Sequence, residues 1–412
     1  MRILISFAAL FLSIIFLQLG TGGIAPLDAL SGIQAGFSRG EVGLLGSSHF
    51  IGFFIGCWWA PRLMGAIGHS RSFAAFTAVG TIGILAHTLI TDPYMWSLFR
   101  IMSGLCIAGS YTVIEAWLQA KVTNETRGRT MGIYRIVDIG GSLGAQLLIA
   151  VLEPGYYISY NLLALLACAA LVPITLTRVA PPKMPSAPRL RPSMAWQLSP
   201  LAAAGVVAAG LTTASYRMVG AVYGVEVGLS NDQIAIFLAA FVAGGALAQY
   251  PAGWLADKYD RRWILIWLSA AAVGASALAI YMTSSTAQVM TASAIFGFVT
   301  FPIYSVSAAH AHDFANDDQR VDLSAALMFL YALGAIASPY LASWLMEVFG
   351  SSAMFLLISA AHVVLIVFGL TRMRARPTQE QRTSYIYAPR TTFQSGKLFA
   401  RLRLRQKDKD AP

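Results

Sequence analysis

Long uncharged runs separated by short charged clusters organise the chain. Residues 233–256 hold no Asp, Glu, Lys or Arg, and neither do residues 263–312. The runs are continuously apolar rather than alternating, which excludes a transmembrane barrel. About 20 apolar residues suffice for one helix to cross the hydrocarbon core. Uncharged or nearly uncharged runs predict twelve spans at 3–27, 42–64, 72–91, 93–119, 131–152, 155–177, 199–225, 233–256, 263–283, 286–312, 323–347 and 348–371. The stretch 263–312 is too long for one helix, and Thr283-Ser284-Ser285-Thr286 supplies the polar break.

Composition agrees. The chain has 412 residues, 57% of them hydrophobic and only 12% charged. A water-soluble domain carries about 25% charged residues, so the bilayer is the solvent this chain requires. The first run has 25 residues without a charge. It exceeds the h-region of a signal peptide and is read as the first span.

The net charge of +10 matters through its placement. With both termini assigned to the cytoplasm, 25 of the 29 Lys and Arg fall on that side. Arg100, Arg135 and Arg217 lie within spans, and only Arg39 faces out. This positive-inside bias fixes an orientation and explains the basic balance without nucleic acid. Cys57, Cys106 and Cys168 fit no metal spacing and need no disulfide; they read as small packing residues.

The segment 180–192 holds five prolines and three basic residues. It cannot be a helix interior and reads as a cytoplasmic linker. The expected organisation is a six-helix bundle over 1–178, a Pro/basic linker over 179–198, a second bundle over 199–371 and a basic tail over 372–412. The halves read as copies. An offset of 192 lays Gly36-Phe-Ser-Arg-Gly-Glu-Val42 on Gly228-Leu-Ser-Asn-Asp-Gln-Ile234 and Gly52 on Gly244. An offset of 193 lays Gly104 on Gly297 and Tyr111 on Tyr304. From Arg372 the tail holds 11 basic and three acidic residues, a composition drawn to anionic lipid.

The charged hairpin Gly253-Trp-Leu-Ala-Asp257-Lys-Tyr-Asp-Arg261-Arg262 resembles the cytoplasmic signature loop of the major facilitator superfamily. That resemblance implies an all-α membrane protein with twelve transmembrane helices in two pseudo-symmetric six-helix bundles. It also implies a cluster at Gly253, Asp257, Arg261 and Arg262 that latches the inner gate. The first-half counterpart, Pro61 to Arg71, has Gly65 where Asp257 stands, so the latch is expected to be asymmetric. Arg100 with Gly104 resembles the superfamily's second motif, which implies an anchor for a proton relay or a substrate anion. Glu41-Val-Gly, Ser47-Ser48, Val113-Ile-Glu115, Arg127-Gly-Arg129, Gln146 and Pro302-Ile-Tyr304 with His310 resemble its YcaD-like branch.

An ionisable residue inside a span is a functional candidate by default. Arg100 either serves the resemblance's role or snorkels outward. Glu115, on the same span, either exchanges a proton or pairs with Arg135. Arg135 and Asp138 are three apart and share a helix face. Arg217 either binds an anionic group or snorkels. His310 and His312, two apart, do not face together, and His312 with Asp313 reads as a capping and topology element. The candidate pathway set is Glu115, Asp138, Arg100, Arg217, Arg135, Tyr111 and Tyr304.

No Ser/His/Asp set, HExxH or nucleotide loop is present, which argues against an enzyme or an ATP-driven pump. No metal or cofactor is expected. The leading expectation is a monomeric, proton-coupled secondary transporter of a small solute, multi-pass in a bacterial inner membrane. The alternative is a non-transporting sensor built on a carrier fold.

Overall fold

The computed structural model describes residues 2–121, 127–176, 190–316, 318–375 and 385. Among these the chain is helical and holds no strand. In the first half the helices are α1 (Arg2–Gly22), α2 (Ile24–Gln34), α3 (Arg39–Ile67), α4 (His69–Ala86), α5 (Pro93–Lys121), α6 (Arg127–Leu148), α7 (Tyr157–Ala169) and α8 (Leu171–Thr175). There follow α9 (Pro192–Leu198), α10 (Pro200–Glu226), α11 (Asn231–Lys258), α12 (Arg261–Tyr281), α13 (Thr286–Thr300), α14 (Pro302–His312), α15 (Arg320–Phe349) and α16 (Ala353–Ala375).

Among the described residues, ten helical segments are long and apolar enough to cross a membrane, including Phe7–Gln34, which runs through α1 and α2, and Thr286–His312, which runs through α13 and α14. The remaining long helices, α4 and α10, stand at the third and seventh predicted spans. The break foreseen after residue 282 is real. Helix α12 ends at Tyr281, and the Ser285 hydroxyl accepts from the Gln288 amide to start α13. Part of the anticipated linker is ordered differently from expectation: Pro192 opens the short helix α9 at a position where its missing N–H costs nothing. Its Trp196 stacks on Phe368 at 5.8 Å. The first four residues of the expected tail, 372–375, continue α16, and beyond them only Tyr385 is among the described residues.

The described residues of 1–187, 217–242 and 339–344 form one compact unit. Those of 188–216, 243–338 and 345–412 form the other. In the first unit, α3 packs along α5 and α1 along α6 and α7. Its core joins Phe7, Ile14, Leu17, Phe73, Tyr111, Trp117, Tyr134 and Ile174. In the second, α12 packs on α16, and Tyr216, Phe296 and Phe355 form an aromatic stack. Trp58, Trp59, Trp254, Trp263, Trp267 and Trp344 remain exposed, the placement expected of aromatic residues at membrane interfaces.

The offset of 192 recurs in local geometry. Gly36 and Gly228 both sit at positive φ, 84° and 81°, where a side chain would be strained. The amides that follow reach back alike, Phe37 to Gly32 and Leu229 to Gly224. Ser38 then caps α3, its hydroxyl accepting from Glu41 and the Glu41 carboxylate accepting from the Ser38 amide. At the matching place the Gln233 side chain accepts from the Ser230 amide. Helix crossings repeat too. A Cβ on Gly52 would fall 1.9 Å from the Ile101 carbonyl, and one on Gly244 would fall 2.0 Å from the Ala294 carbonyl.

Candidate functional site

Four helices of the first unit bring a polar cluster into an apolar interior. Asp28 of α2, His87 at the end of α4, Arg100 of α5 and Tyr160 of α7 meet there, and their side chains are essentially excluded from solvent. The Tyr160 hydroxyl donates to Asp28 Oδ1 at 3.1 Å. Asp28 Oδ2 lies 3.4 Å from His87 Nε2 and 3.6 Å from Arg100 Nε. The His87 ring stacks on Tyr160 with centroids 5.4 Å apart. Arg100 Nη2 also reaches Met218 Sδ at 3.4 Å. Arg100 therefore does not snorkel to an interface. It is held inside, where a lone guanidinium would be very costly and a carboxylate partner is required.

Arg100 was foreseen as a candidate; Asp28, His87 and Tyr160 were not. The missing signal was depth rather than motif. Asp28 precedes the turn at Gly36, His87 ends α4, and Arg100 and Tyr160 lie near the starts of α5 and α7. Up-and-down topology puts all four at one end of the unit.

Nearer the other end, a second cluster joins most of the remaining candidates. The Tyr111 hydroxyl donates to Asp138 Oδ1 at 2.5 Å, and Gln18 Nε2 donates to the same oxygen at 2.9 Å. Arg135 Nη1 lies 3.7 Å from Asp138 Oδ2, the expected pair on one helix face. The Tyr134 hydroxyl donates to Glu115 Oε1 at 2.6 Å, and the Arg135 guanidinium lies over the Tyr134 ring. Helices α1, α5 and α6 thus hold two carboxylates through two tyrosines. Arg217 Nη2 donates to Ser142 Oγ at 3.4 Å. Tyr304 is in the second unit, edge-on to Tyr331.

The signature hairpin is built around Arg261. Its Nη1 lies 2.7 Å from Asp313 Oδ1 and also donates to the Ala309 carbonyl. Its Nε donates to the Ala256 carbonyl, and Nη2 reaches Asp257 at 3.2 Å. Arg261 and Asp313 are buried, whereas the Asp257 side chain is 49% exposed. Asp313 stands at the C-cap of α14, as its sequence reading has it, and is also the buried ion partner of the loop. His312 is bonded to Ser324 Oγ at 3.1 Å. Arg262 pairs with Asp260, which also caps α12. Asp257 Oδ1 accepts from the Tyr385 amide at 2.6 Å, and a Cβ on Gly253 would meet the Tyr385 ring at 2.7 Å. Of the cysteines, Cys57 and Cys106 are buried, but Cys168 is exposed rather than packed inside.

These features define a multi-span membrane carrier with charges embedded in its helices. A family model for the Major Facilitator Superfamily matches residues 201–405. The chain is 24% identical to the uncharacterized MFS-type transporter YcaD of Salmonella typhi over 367 residues, 88% of this chain and 95% of that protein. It is 24% identical to YcaD of Escherichia fergusonii over 337 residues, 81% of this chain and 87% of that one. Among solved structures, the nucleoside transporter NupG superposes with a TM-score of 0.74 at 13% identity, covering 91% of this chain and all 100% of that one. The D-xylose-proton symporter gives 0.67 at 13% identity, with 90% and 98% covered. The chain thus matches the Major Facilitator Superfamily model over residues 201–405 and resembles its YcaD-like members over most of its length.

Proposed function

We propose that this chain carries a small solute across a bacterial inner membrane by alternating access, driven by the proton gradient, as a monomer with both termini in the cytoplasm. The observation that carries the reading is the ion pair of Asp28 and Arg100, buried inside spans and bonded to Tyr160. A carboxylate in such a place binds a proton with a large change in its attraction to the neighbouring guanidinium. Protonation weakens the Asp28–Arg100 contact and loss of the proton restores it. That is a switch of the kind that biases a two-state carrier.

Asp138 and Glu115 are the second pair of candidates. Each accepts a tyrosine hydroxyl, so each can be held as a carboxylate or take up a proton without losing its neighbour. Arg135 compensates Asp138. In this reading Arg100, Arg217, Tyr111 and Tyr304 are the remaining candidates for the solute path, and the hairpin from Gly253 to Arg262 latches the inner side. The basic tail rests on anionic lipid. Likeness in fold leaves the cargo open, so the test uses two solutes that structural neighbours name, a nucleoside and D-xylose.

Purified protein in liposomes, with a pH dye inside and acid outside, should show proton entry that depends on an added solute such as uridine or D-xylose. Asp28→Asn should abolish the coupled proton entry. Solute flux that ignores the pH gradient and is unchanged by Asp28→Asn would refute the coupling.

A further inference from the structure

We infer that His87 and Asp28 together form a single proton-binding site, with His87 as the group that takes the proton from the adjoining cavity. The inference rests on the proton-coupled reading for its physiological meaning, but its geometry stands apart from solute transport.

The other ring nitrogen fixes the tautomer. His87 Nδ1 is 2.7 Å from the Gly83 carbonyl, one turn back on the same helix. A carbonyl only accepts, so Nδ1 carries the proton. In the neutral ring Nε2 is then a bare acceptor. It points at Asp28 Oδ2, which is also an acceptor, at 3.4 Å. Both atoms are buried and neither has a hydrogen-bond partner among the described residues. Two acceptors facing one another across that gap repel unless a proton sits between them. One proton on Nε2 turns the contact into a charge-assisted hydrogen bond, which shortens to about 2.7–2.9 Å.

The surroundings set what that proton does. The charged and titratable groups around His87 come from three other helices: Asp28 of α2, Arg100 of α5 and Tyr160 of α7. Tyr160 is committed to Asp28 Oδ1. Asp92, in the turn after His87, is used in capping α5 through the Tyr94 and Met95 amides. On α3, His49 bonds Ser103. The imidazolium and Arg100 therefore compete for the same oxygen, Oδ2. When the proton leaves Nε2, Arg100 compensates the carboxylate alone. When it arrives, the carboxylate is shared and Arg100 is released toward its other contact at Met218.

The site also has a route of access. A cavity of about 340 Å³ is lined by Ser31, Gln34, His87, Trp96, Gly155 and Tyr160, and its rim carries the exposed Thr88 and Thr91. His87 is thus common to the cavity wall and the Asp28 contact. Tyr160 screens Asp28 on the remaining side.

The test needs no solute. The protein has six histidines, so 15N-histidine NMR of the purified full chain, with His87→Gln to assign the signal, reads this ring directly. The expected result is an Nδ1–H tautomer at high pH that gains a proton on Nε2 as pH falls, a response that Asp28→Asn changes. An Nε2–H tautomer at high pH, or a His87 titration that Asp28→Asn leaves unmoved, would overturn the shared site. Unfolding of the Asp28 variant is controlled with Asp28→Glu, which keeps the carboxylate and should keep the wild-type tautomer. Failure here with intact Asp28-dependent proton entry in liposomes would remove His87 and leave the coupling reading standing. The reverse result would retain the proton site and remove the coupling.

Discussion

Replacing Asp313 separates the buried part of the signature hairpin from its exposed part. Asp313→Leu leaves the Arg261 guanidinium buried with its strongest partner gone. Stranding one member of a buried pair costs about 3–5 kcal/mol. Arg261 keeps its bonds to the Ala256 and Ala309 carbonyls and its contact with Asp257, which places the expected loss near the low end, about 3 kcal/mol. Arg261→Met should cost a similar amount by stranding Asp313. The double variant replaces both charges with apolar side chains and should recover most of that loss, to within about 1 kcal/mol of wild type. The coupling between the two sites is then about 3 kcal/mol or more, far above what independent positions give. Asp257→Asn acts on a side chain that is 49% exposed, where an ion pair is worth about 0–1 kcal/mol. The assay is unfolding in detergent followed by a thiol-reactive dye. Cys57 and Cys106 are buried reporters, with exposed Cys168 first replaced by Ser. Additive losses in the double variant, or an Asp257→Asn loss equal to that of Asp313→Leu, would refute the assignment of the buried pair.

Four further outcomes follow from the glycine positions. Gly52→Ala should lower the unfolding midpoint strongly, because its Cβ would lie 1.9 Å from the Ile101 carbonyl, and overpacking costs about 1–3 kcal/mol or more. Gly274→Ala, with open space at its Cβ, should be neutral or stabilising by about 0.5–1 kcal/mol in the same assay. Gly36→Ala, at φ 84°, should cost about 1–2 kcal/mol without any steric contact. Gly253→Val should displace Tyr385, read as loss of protection of a Tyr385→Cys thiol contact in cross-linking to Gln249→Cys, while stability measured by Cys57 and Cys106 stays within about 1 kcal/mol.

Much of the fold was legible because each signal was local. The Ser285 cap, the Gly36 and Gly228 turns and the Arg135–Asp138 spacing need only a few adjacent residues. The tyrosine–carboxylate pairs Tyr111–Asp138 and Tyr134–Glu115 were half legible: the residues stood out as polar groups in apolar runs, but which met which depends on helix rotation. The Asp28 cluster was illegible as a unit because its members are separated by up to 132 positions and none carries a motif except Arg100. Asp313 was half legible for a related reason. Beside two histidines at a helix end it looks like a cap, and only the position of Arg261, 52 residues earlier, shows it as an ion partner. The asymmetry expected between the halves stands in a changed form. By the offset of 192, His69 occupies the place of Arg261 in the first half, so the first half lacks the buried cation itself and not merely the acid at Gly65.

The most direct measurement of the account is the pH response of the whole carrier. Spin labels at Thr91 and Ser284, on two loops that the topology predicts to be outward, report the opening of that side through their distance distribution. Wild-type protein in lipid should redistribute between two distance populations as pH is lowered, with no solute present. Asp28→Asn should hold one population at every pH, because the switch group proposed here is gone. A wild-type pH response that persists unchanged in Asp28→Asn would contradict the account.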